Sequence, residues 1–207
     1  MTALDAIKQR TFPVKYRNRD GDLMSGTAFV IDHQGKEYLV TAHHIVTDDA
    51  PSSRIEVFHG GKWIEEWYTL VGLGPVLSDR SSKVDVAVLK LWNSLPTGAS
   101  VAVSSAGLVD GQVVHILGFP TAKSAFSTVT VVTGTFTGFR DEESCMHFEA
   151  EATKGMSGGP VVFVPEGQSS SEPRIAGVVA HIPSTPCSVP LPSTMAAYDI
   201  RRAIDLI

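Results

Sequence analysis

The run KGMSGGPVV, Lys154–Val162, places one serine among glycines directly before an apolar stretch that is typical of a β-strand. Glycine has no Cβ atom, so it tolerates positive φ and lets another molecule approach the backbone closely. Such a turn can direct two backbone N–H groups at one point, which a serine nucleophile requires because its tetrahedral intermediate carries an oxyanion. The same run also fits an ordinary tight hairpin turn, so the rest of the chain must decide between the two.

Short apolar segments rich in β-branched and aromatic residues surround this run, and turn residues separate them. Turns at roughly every 8–12 residues favour a sandwich or barrels over a parallel α/β sheet. Two sets of about six strands, divided near residues 93–98, indicate an all-β protein with two six-stranded antiparallel barrels. The predicted strands are Thr11–Tyr16, Gly26–Asp32, Glu37–Thr41, Arg54–Phe58, Trp63–Leu73, Asp85–Leu91, Gln112–Leu117, Thr128–Phe139, Cys145–Glu151, Val161–Val164 and Ile175–His181.

Helices are expected only at the two ends of the chain. A short helix is predicted over residues 2–10, and a closing helix over Ala197–Ile207, where apolar residues recur at helical spacing. Ile182–Met195 contains four prolines and is predicted to be irregular but stiff. The predicted organisation is a helix and first barrel over residues 1–95, followed by a second barrel and helix over residues 96–207.

Composition excludes several classes of protein. The net charge of −5 argues against nucleic acid as the main partner. No apolar run approaches the roughly 20 residues of a membrane helix, and residues 1–10 have no signal-peptide core. Cys145 and Cys187 exclude a disulfide framework, although one remote bridge remains open. We therefore expect a cytoplasmic protein without a membrane anchor and, since the histidines lack metal-ligand spacing, without a metal or cofactor.

A histidine and an aspartate lie upstream of the serine, as nucleophilic catalysis requires. His43 and His44 follow an apolar strand, and Asp85 begins another. Burying a carboxylate before an apolar strand is costly unless it is paired, and an imidazole is a plausible partner. Each residue alone is more often structural, but the order His, Asp, Ser is far more specific.

Together these motifs resemble those of the trypsin/chymotrypsin-fold serine proteases, especially short bacterial trypsin-like peptidases and Deg-type protease domains. The resemblance rests on TAHH at residues 41–44, DVAVL at 85–89, GFP at 118–120 and GMSGGP at 155–160, and it extends over Gly26–Ile204. It implies a chymotrypsin-like pair of barrels and a serine endopeptidase that acts on protein or peptide substrates through an acyl-enzyme.

The resemblance also implies the role of each residue. His44 would be general base and then general acid, Asp85 would orient it, and Ser157 would attack the scissile carbonyl. The N–H groups of Gly155 and Ser157 would form the oxyanion hole. His43 occupies a position that is usually small, and on an extended chain it would point away from Ser157.

One departure from the family concerns activation. Met156 stands where secreted digestive members have an aspartate, and the chain has no Ile-Val-Gly-Gly start. The site is therefore expected either to be formed at all times or to be controlled by another element, such as a regulatory partner protein.

Substrate specificity remains open at this level. The resemblance places Glu151 and Ala152 at the floor of the first specificity pocket, where an acid would favour lysine or arginine. Alternatively, Glu151 faces solvent beside Glu149, since the two would share a face of one strand. The pocket wall maps to Val178–Ile182, including Ala180 and His181, and His181 could read acidic substrates or pair with Glu151.

Two rival functions remain. A catalytically silent module could use the same fold to hold a peptide, although an intact His–Asp–Ser set argues against it. Alternatively, the enzyme could process itself or one partner, as an effector of a bacterial sensor system.

Overall fold

The computed structural model describes residues 3–17, 23–46, 52–74, 84–121, 126, 128–140, 145–151, 153–166, 172–180 and 194–207. These residues form two closed antiparallel barrels of six strands each, with two short helices. The all-β, two-barrel prediction is thereby confirmed.

The first barrel follows helix α1 (Ala3–Lys8) and has the strand order β1-β2-β3-β6-β5-β4. Its strands are β1 (Thr11–Arg17), β2 (Leu23–His33), β3 (Lys36–Thr41), β4 (Ser52–His59), β5 (Lys62–Leu73) and β6 (Ala87–Leu91). A single 3₁₀ turn, His43–Ile45, follows β3.

The second barrel has the strand order β10-β11-β12-β9-β8-β7 and ends in helix α2 (Arg201–Ile204). Its strands are β7 (Val113–Gly118), β8 (Thr130–Arg140), β9 (Cys145–Glu149), β10 (Pro160–Phe163), β11 (Arg174–Val179) and β12 (Thr194–Asp199).

The prediction for the end of the chain is wrong at strand β12. The sequence predicts an irregular segment at Thr194 and Met195 and a closing helix that includes Ala197–Asp199. The structure instead pairs this segment with β9 on one side and β11 on the other, which closes the barrel. Alanines have weak β-propensity, so burial between two strands, and not local preference, determines this conformation. The closing helix is correspondingly short.

The apolar residues form three clusters: one inside each barrel and one between the barrels. Strand β2 shows why both of its faces are apolar. Ala28 and Val30 point into the first barrel, whereas Phe29 and Ile31 point into the cluster between the barrels, as the two-residue period of a strand requires. The apolar packing between the two barrels fixes how their edges are arranged, and the candidate residues lie at those edges.

Candidate active site

His44 and Asp85 meet because their strands are neighbours. In the β3–β6 pair Thr41 lies opposite Ala87. His44 comes three residues after Thr41, and Asp85 comes two residues before Ala87, so antiparallel pairing brings both to the same barrel edge. The observed strand begins at Ala87, two residues later than the predicted start at Asp85. The Val86 N–H donates to the Val84 carbonyl, and this hydrogen bond turns the chain at Asp85.

Two hydrogen bonds join His44 to Asp85. The backbone N–H of His44 donates to Asp85 Oδ1 at 2.9 Å, and the imidazole Nδ1 lies 2.8 Å from Asp85 Oδ2. The Asp85 side chain is 16% exposed and that of His44 is 40% exposed. Burial alone would raise the pKa of Asp85, but the hydrogen bonds and charge of His44, with a further contribution from His43, hold that pKa below its usual value. Asp85 is therefore ionised at neutral pH.

His44 and His43 have different surroundings. The two histidines lie in a 3₁₀ turn and not on an extended chain, so the expected geometry was wrong at this point. His43 is half-buried, whereas His44 is exposed and bonded to Asp85. Tyr16 of β1 packs edge-on against the His44 ring, with centroids 6.3 Å apart. Burial and the negative charge of Asp85 raise the pKa of Tyr16, which keeps its phenol neutral.

Left-handed glycines build the turn that carries Ser157. Gly155 has φ of 95° and Gly158 has φ of 81°, a region that favours glycine. Space is restricted as well: a Cβ atom on Gly155 would collide with the Phe119 carbonyl, and one on Gly158 with the Thr27 carbonyl. These glycines are therefore required both by conformation and by close backbone approach.

The peptide planes that contain the Gly155 and Ser157 N–H groups have fixed orientations. The Lys154 carbonyl accepts from the Thr121 N–H at 2.9 Å, and all peptide bonds of the described residues are trans. The Gly155 N–H therefore points away from Thr121. The Met156 carbonyl likewise accepts from Gly159 at 3.0 Å, which directs the Ser157 N–H away from Gly159. Within the described part of the chain, neither of these N–H groups donates a hydrogen bond, although most buried N–H groups do.

The two barrels meet at this turn. The Thr27 N–H of β2 donates to the Ser157 carbonyl at 2.9 Å. A Cβ atom on Gly26 would collide with Ile45 and lie 3.4 Å from the Ser157 carbonyl oxygen. Gly26 therefore lies between the 3₁₀ turn that carries His44 (the histidine turn) and the glycine turn that carries Ser157 (the serine turn). Ser157 is half-buried. Among the described residues, no hydrogen bond joins its hydroxyl to His44; such bonds are often long before substrate binds.

The predicted specificity residues are only partly described. Glu151 lies beyond the end of β9 and is exposed, as Glu149 is. Ala180 follows β11, is buried and donates its N–H to Ala196 at 3.0 Å. Ala152 and His181 lie outside the described residues.

The described ranges also bear on metal binding and on membrane insertion. In those ranges no three His, Cys, Asp or Glu side chains are grouped so that they could hold a metal ion. None of the helices in those ranges combines the length and the apolar character that crossing a bilayer requires.

Sequence reasoning did not single out Tyr16, Thr27 or Thr121. Tyr16 and Thr27 occupy ordinary strand positions, and only the pairing of β1, β2 and the serine turn gives them their contacts. For Thr121 a weak signal exists, since it directly follows the GFP segment at residues 118–120.

Comparison with known proteins gives a consistent result. The family model described as "Trypsin-like peptidase domain" matches residues 26–168. No curated protein matches the sequence significantly.

Solved structures share the fold at low identity. The Rv3671c protease from M. tuberculosis in its active form has a TM-score of 0.69 and 21% identity, with 99% of this chain and 82% of that chain covered. The HtrA-type protease AlgW with a tripeptide has a TM-score of 0.69 and 20% identity, with 98% of this chain and 60% of that chain covered. The serine endoprotease from Yersinia pestis gives 0.67 and 20%, with 98% and 63% covered. At these identities the likeness concerns the fold.

Proposed function

This chain belongs to the trypsin-like peptidase family, and we propose that it is a serine endopeptidase whose catalytic residues are His44, Asp85 and Ser157. The observation that carries the proposal is the doubly hydrogen-bonded His44–Asp85 pair, set across Gly26 from a glycine turn that presents a serine. The family gives the reaction class, and this geometry supports the assignment of roles.

The Asp85 contact supports His44 as the base. A carboxylate accepts hydrogen bonds only, so the Nδ1 atom that faces Asp85 carries the proton. In the neutral imidazole Nε2 is then unprotonated and can accept the proton of a serine hydroxyl. Asp85, being ionised, also stabilises the imidazolium that forms once the proton is transferred.

The serine turn supports an oxyanion site. The N–H groups of Gly155 and Ser157 lack partners within the described residues, and their peptide planes are fixed by other hydrogen bonds. Donors that are oriented before the reaction stabilise developing charge without reorganisation. The site would therefore need no new N-terminus to orient these groups.

The proposed reaction has two stages. The Ser157 oxygen bonds to the scissile carbonyl carbon as its proton passes to His44, and the carbonyl oxygen becomes an oxyanion facing the two N–H groups. His44 then protonates the leaving amine, the peptide C–N bond breaks, and an acyl-enzyme remains. Water then gives a proton to His44 while its oxygen bonds to the acyl carbon. The bond from that carbon to the Ser157 oxygen breaks, His44 returns the proton to Ser157, and the acid product leaves.

Active-site labelling with a fluorophosphonate probe tests the proposal directly. We expect the wild type to be labelled and Ser157→Ala not to be labelled. Ser100→Ala, which removes an exposed serine hydroxyl far along the chain, serves as the matched control and should be labelled like the wild type.

A folded wild-type sample that fails to react would contradict the proposal. It would favour instead the rival in which the same fold holds a peptide without cleaving it. Equal labelling of wild type and Ser157→Ala would show that the nucleophile is another residue.

A further inference from the structure

We propose that Thr27, a residue of the first barrel, is a positioning residue for the oxyanion site of the second barrel. The inference rests on the proposed function, because it concerns the same Gly155 and Ser157 N–H groups. It adds a side chain that none of the sequence motifs includes.

Thr27 contacts the serine turn through its backbone and its side chain. It is fully buried. Its N–H donates to the Ser157 carbonyl at 2.9 Å, while its hydroxyl donates to the Gly155 carbonyl at 2.7 Å. The same hydroxyl oxygen accepts from the Phe119 N–H at 3.0 Å. One hydroxyl thus binds two buried backbone groups of the other barrel.

These bonds determine both peptide planes of Gly155. The bond to the Gly155 carbonyl fixes the plane that follows this residue. The bond to Phe119 fixes the segment that includes Thr121, whose own N–H fixes the preceding plane through the Lys154 carbonyl. The Gly155 N–H lies in the preceding plane, and fixing the following plane as well holds the φ and ψ angles of Gly155, which glycine itself restricts little.

Thr27 also links the serine turn to the histidine side of the site. Its carbonyl accepts from the Thr41 hydroxyl at 2.8 Å, and Thr41 ends the strand that leads into His44. The same residue therefore contacts the strand before the proposed base and the turn that carries the proposed nucleophile.

The chemistry requires a hydroxyl at this position. Only a group that donates and accepts at once can satisfy a carbonyl and an N–H with a single atom. Valine has nearly the same volume as threonine but can do neither, whereas serine can do both. Thr27→Val should therefore loosen Gly155 while the packing volume is retained, and Thr27→Ser should preserve its position.

The test compares these variants by steady-state kinetics on a p-nitrophenyl ester and by inhibition with a peptide boronic acid, which forms a tetrahedral adduct. Deleting an oxyanion donor lowers kcat by about 10²–10³-fold. We expect Thr27→Val, which only misplaces a donor, to lower kcat by roughly 10–100-fold with KM within about threefold of the wild type. Boronate affinity should fall in parallel, and Thr27→Ser should restore both.

Thr11→Val is the matched control. Thr11 is a buried threonine of β1 whose hydroxyl donates to the Ile7 carbonyl at 2.8 Å, away from the serine turn. It should retain wild-type kcat and boronate affinity at a comparable loss of thermal stability. If Thr27→Val does not fold, Thr27→Ala gives the same comparison with less crowding.

Two results would overturn the inference alone: wild-type kcat and boronate affinity in a folded Thr27→Val or Thr27→Ala, or an equal loss of kcat in Thr11→Val. Failure of the wild type to turn over the ester or to react at Ser157 would overturn the proposed function, and this inference with it.

Discussion

The two barrels contribute to the site in different ways. The first barrel supplies a pair of residues, His44 in a 3₁₀ turn after β3 and Asp85 just before β6, and two hydrogen bonds join them. The second barrel supplies a turn whose backbone is held by many hydrogen bonds, including those between Gly158 and Val179 and between Gly159 and Met156. One half depends on charge and the other on backbone geometry.

Because of this difference, different substitutions should inactivate the two halves of the site. Removing a charge should affect the first-barrel pair and leave the turn intact. Adding a single methyl group should affect the turn and leave the pair intact. Each variant below changes one half only, and they are arranged from the largest expected effect to the smallest.

Removal of the proposed base should have the largest effect. We expect His44→Ala to lower kcat by about 10⁴-fold or more, because residues that act as a unit fail together. His43→Ala removes a neighbouring imidazole that makes no hydrogen bond to Asp85, and kcat should stay within roughly tenfold of the wild type. Steady-state kinetics measures both, and a larger loss in His43→Ala would reassign the base.

Neutralising Asp85 should come next. Asp85→Asn preserves the size of the side chain, but its amide can favour the wrong imidazole tautomer, and we expect kcat to fall by about 10³–10⁴-fold. The exposed Asp110 provides a control, and Asp110→Asn should be neutral. Retention of more than a tenth of the wild-type kcat in Asp85→Asn would show that the pair is structural only.

A methyl group at Gly155 tests the second barrel. Gly155→Ala forces a Cβ atom onto the Phe119 carbonyl and strains a φ of 95°, so the N–H should turn and kcat should fall by about 10²–10³-fold. Gly111→Ala is the matched control, since Gly111 has φ of 83° with open space around it. It should lose stability but not activity. Equal activity losses in both would attribute the effect to backbone strain in general.

Acid should weaken the first-barrel pair. The pKa of Asp85 is lower in the folded protein than the ordinary 3.8, so the unfolded chain takes up this proton first as the pH falls. The contribution of the pair to the free energy of unfolding is complete above about pH 4 and is lost as the pH falls through the folded pKa. Urea denaturation from pH 2 to 6 should show a shallower decline in Asp85→Asn than in the wild type, and parallel curves would contradict this.

Much of the fold could be predicted because apolar runs and turn residues mark strands directly. In the part of the chain that the structure describes, eleven of the twelve strands lie near their predicted positions. Strand β2 shows why: each face packs into a different core, so the whole run is apolar. Strand β12 was missed because its alanines carry no strand signal and its conformation is set by β9 and β11.

The candidate site was predictable only where local sequence carries the chemistry. The serine turn needs glycines at fixed positions, and the observed positive φ of Gly155 and Gly158 is the physical reason for that pattern. Thr27 carries no such pattern. Its importance comes from contacts with Gly155 and Phe119, more than ninety residues along the chain, which no local reading can supply.

Removal of a second-barrel side chain should have the smallest effect. Glu151 lies close to the serine turn in sequence, but it is exposed and stands beyond the end of β9. If the second barrel acts through its backbone, Glu151→Gln should change kcat/KM by less than about threefold, since an exposed carboxylate is screened by solvent. Esters of lysine and of leucine measure this, with Glu149→Gln as the control. A loss confined to the lysine ester, and absent in Glu149→Gln, would instead place the Glu151 carboxylate in the specificity pocket and give the second barrel an electrostatic role of its own.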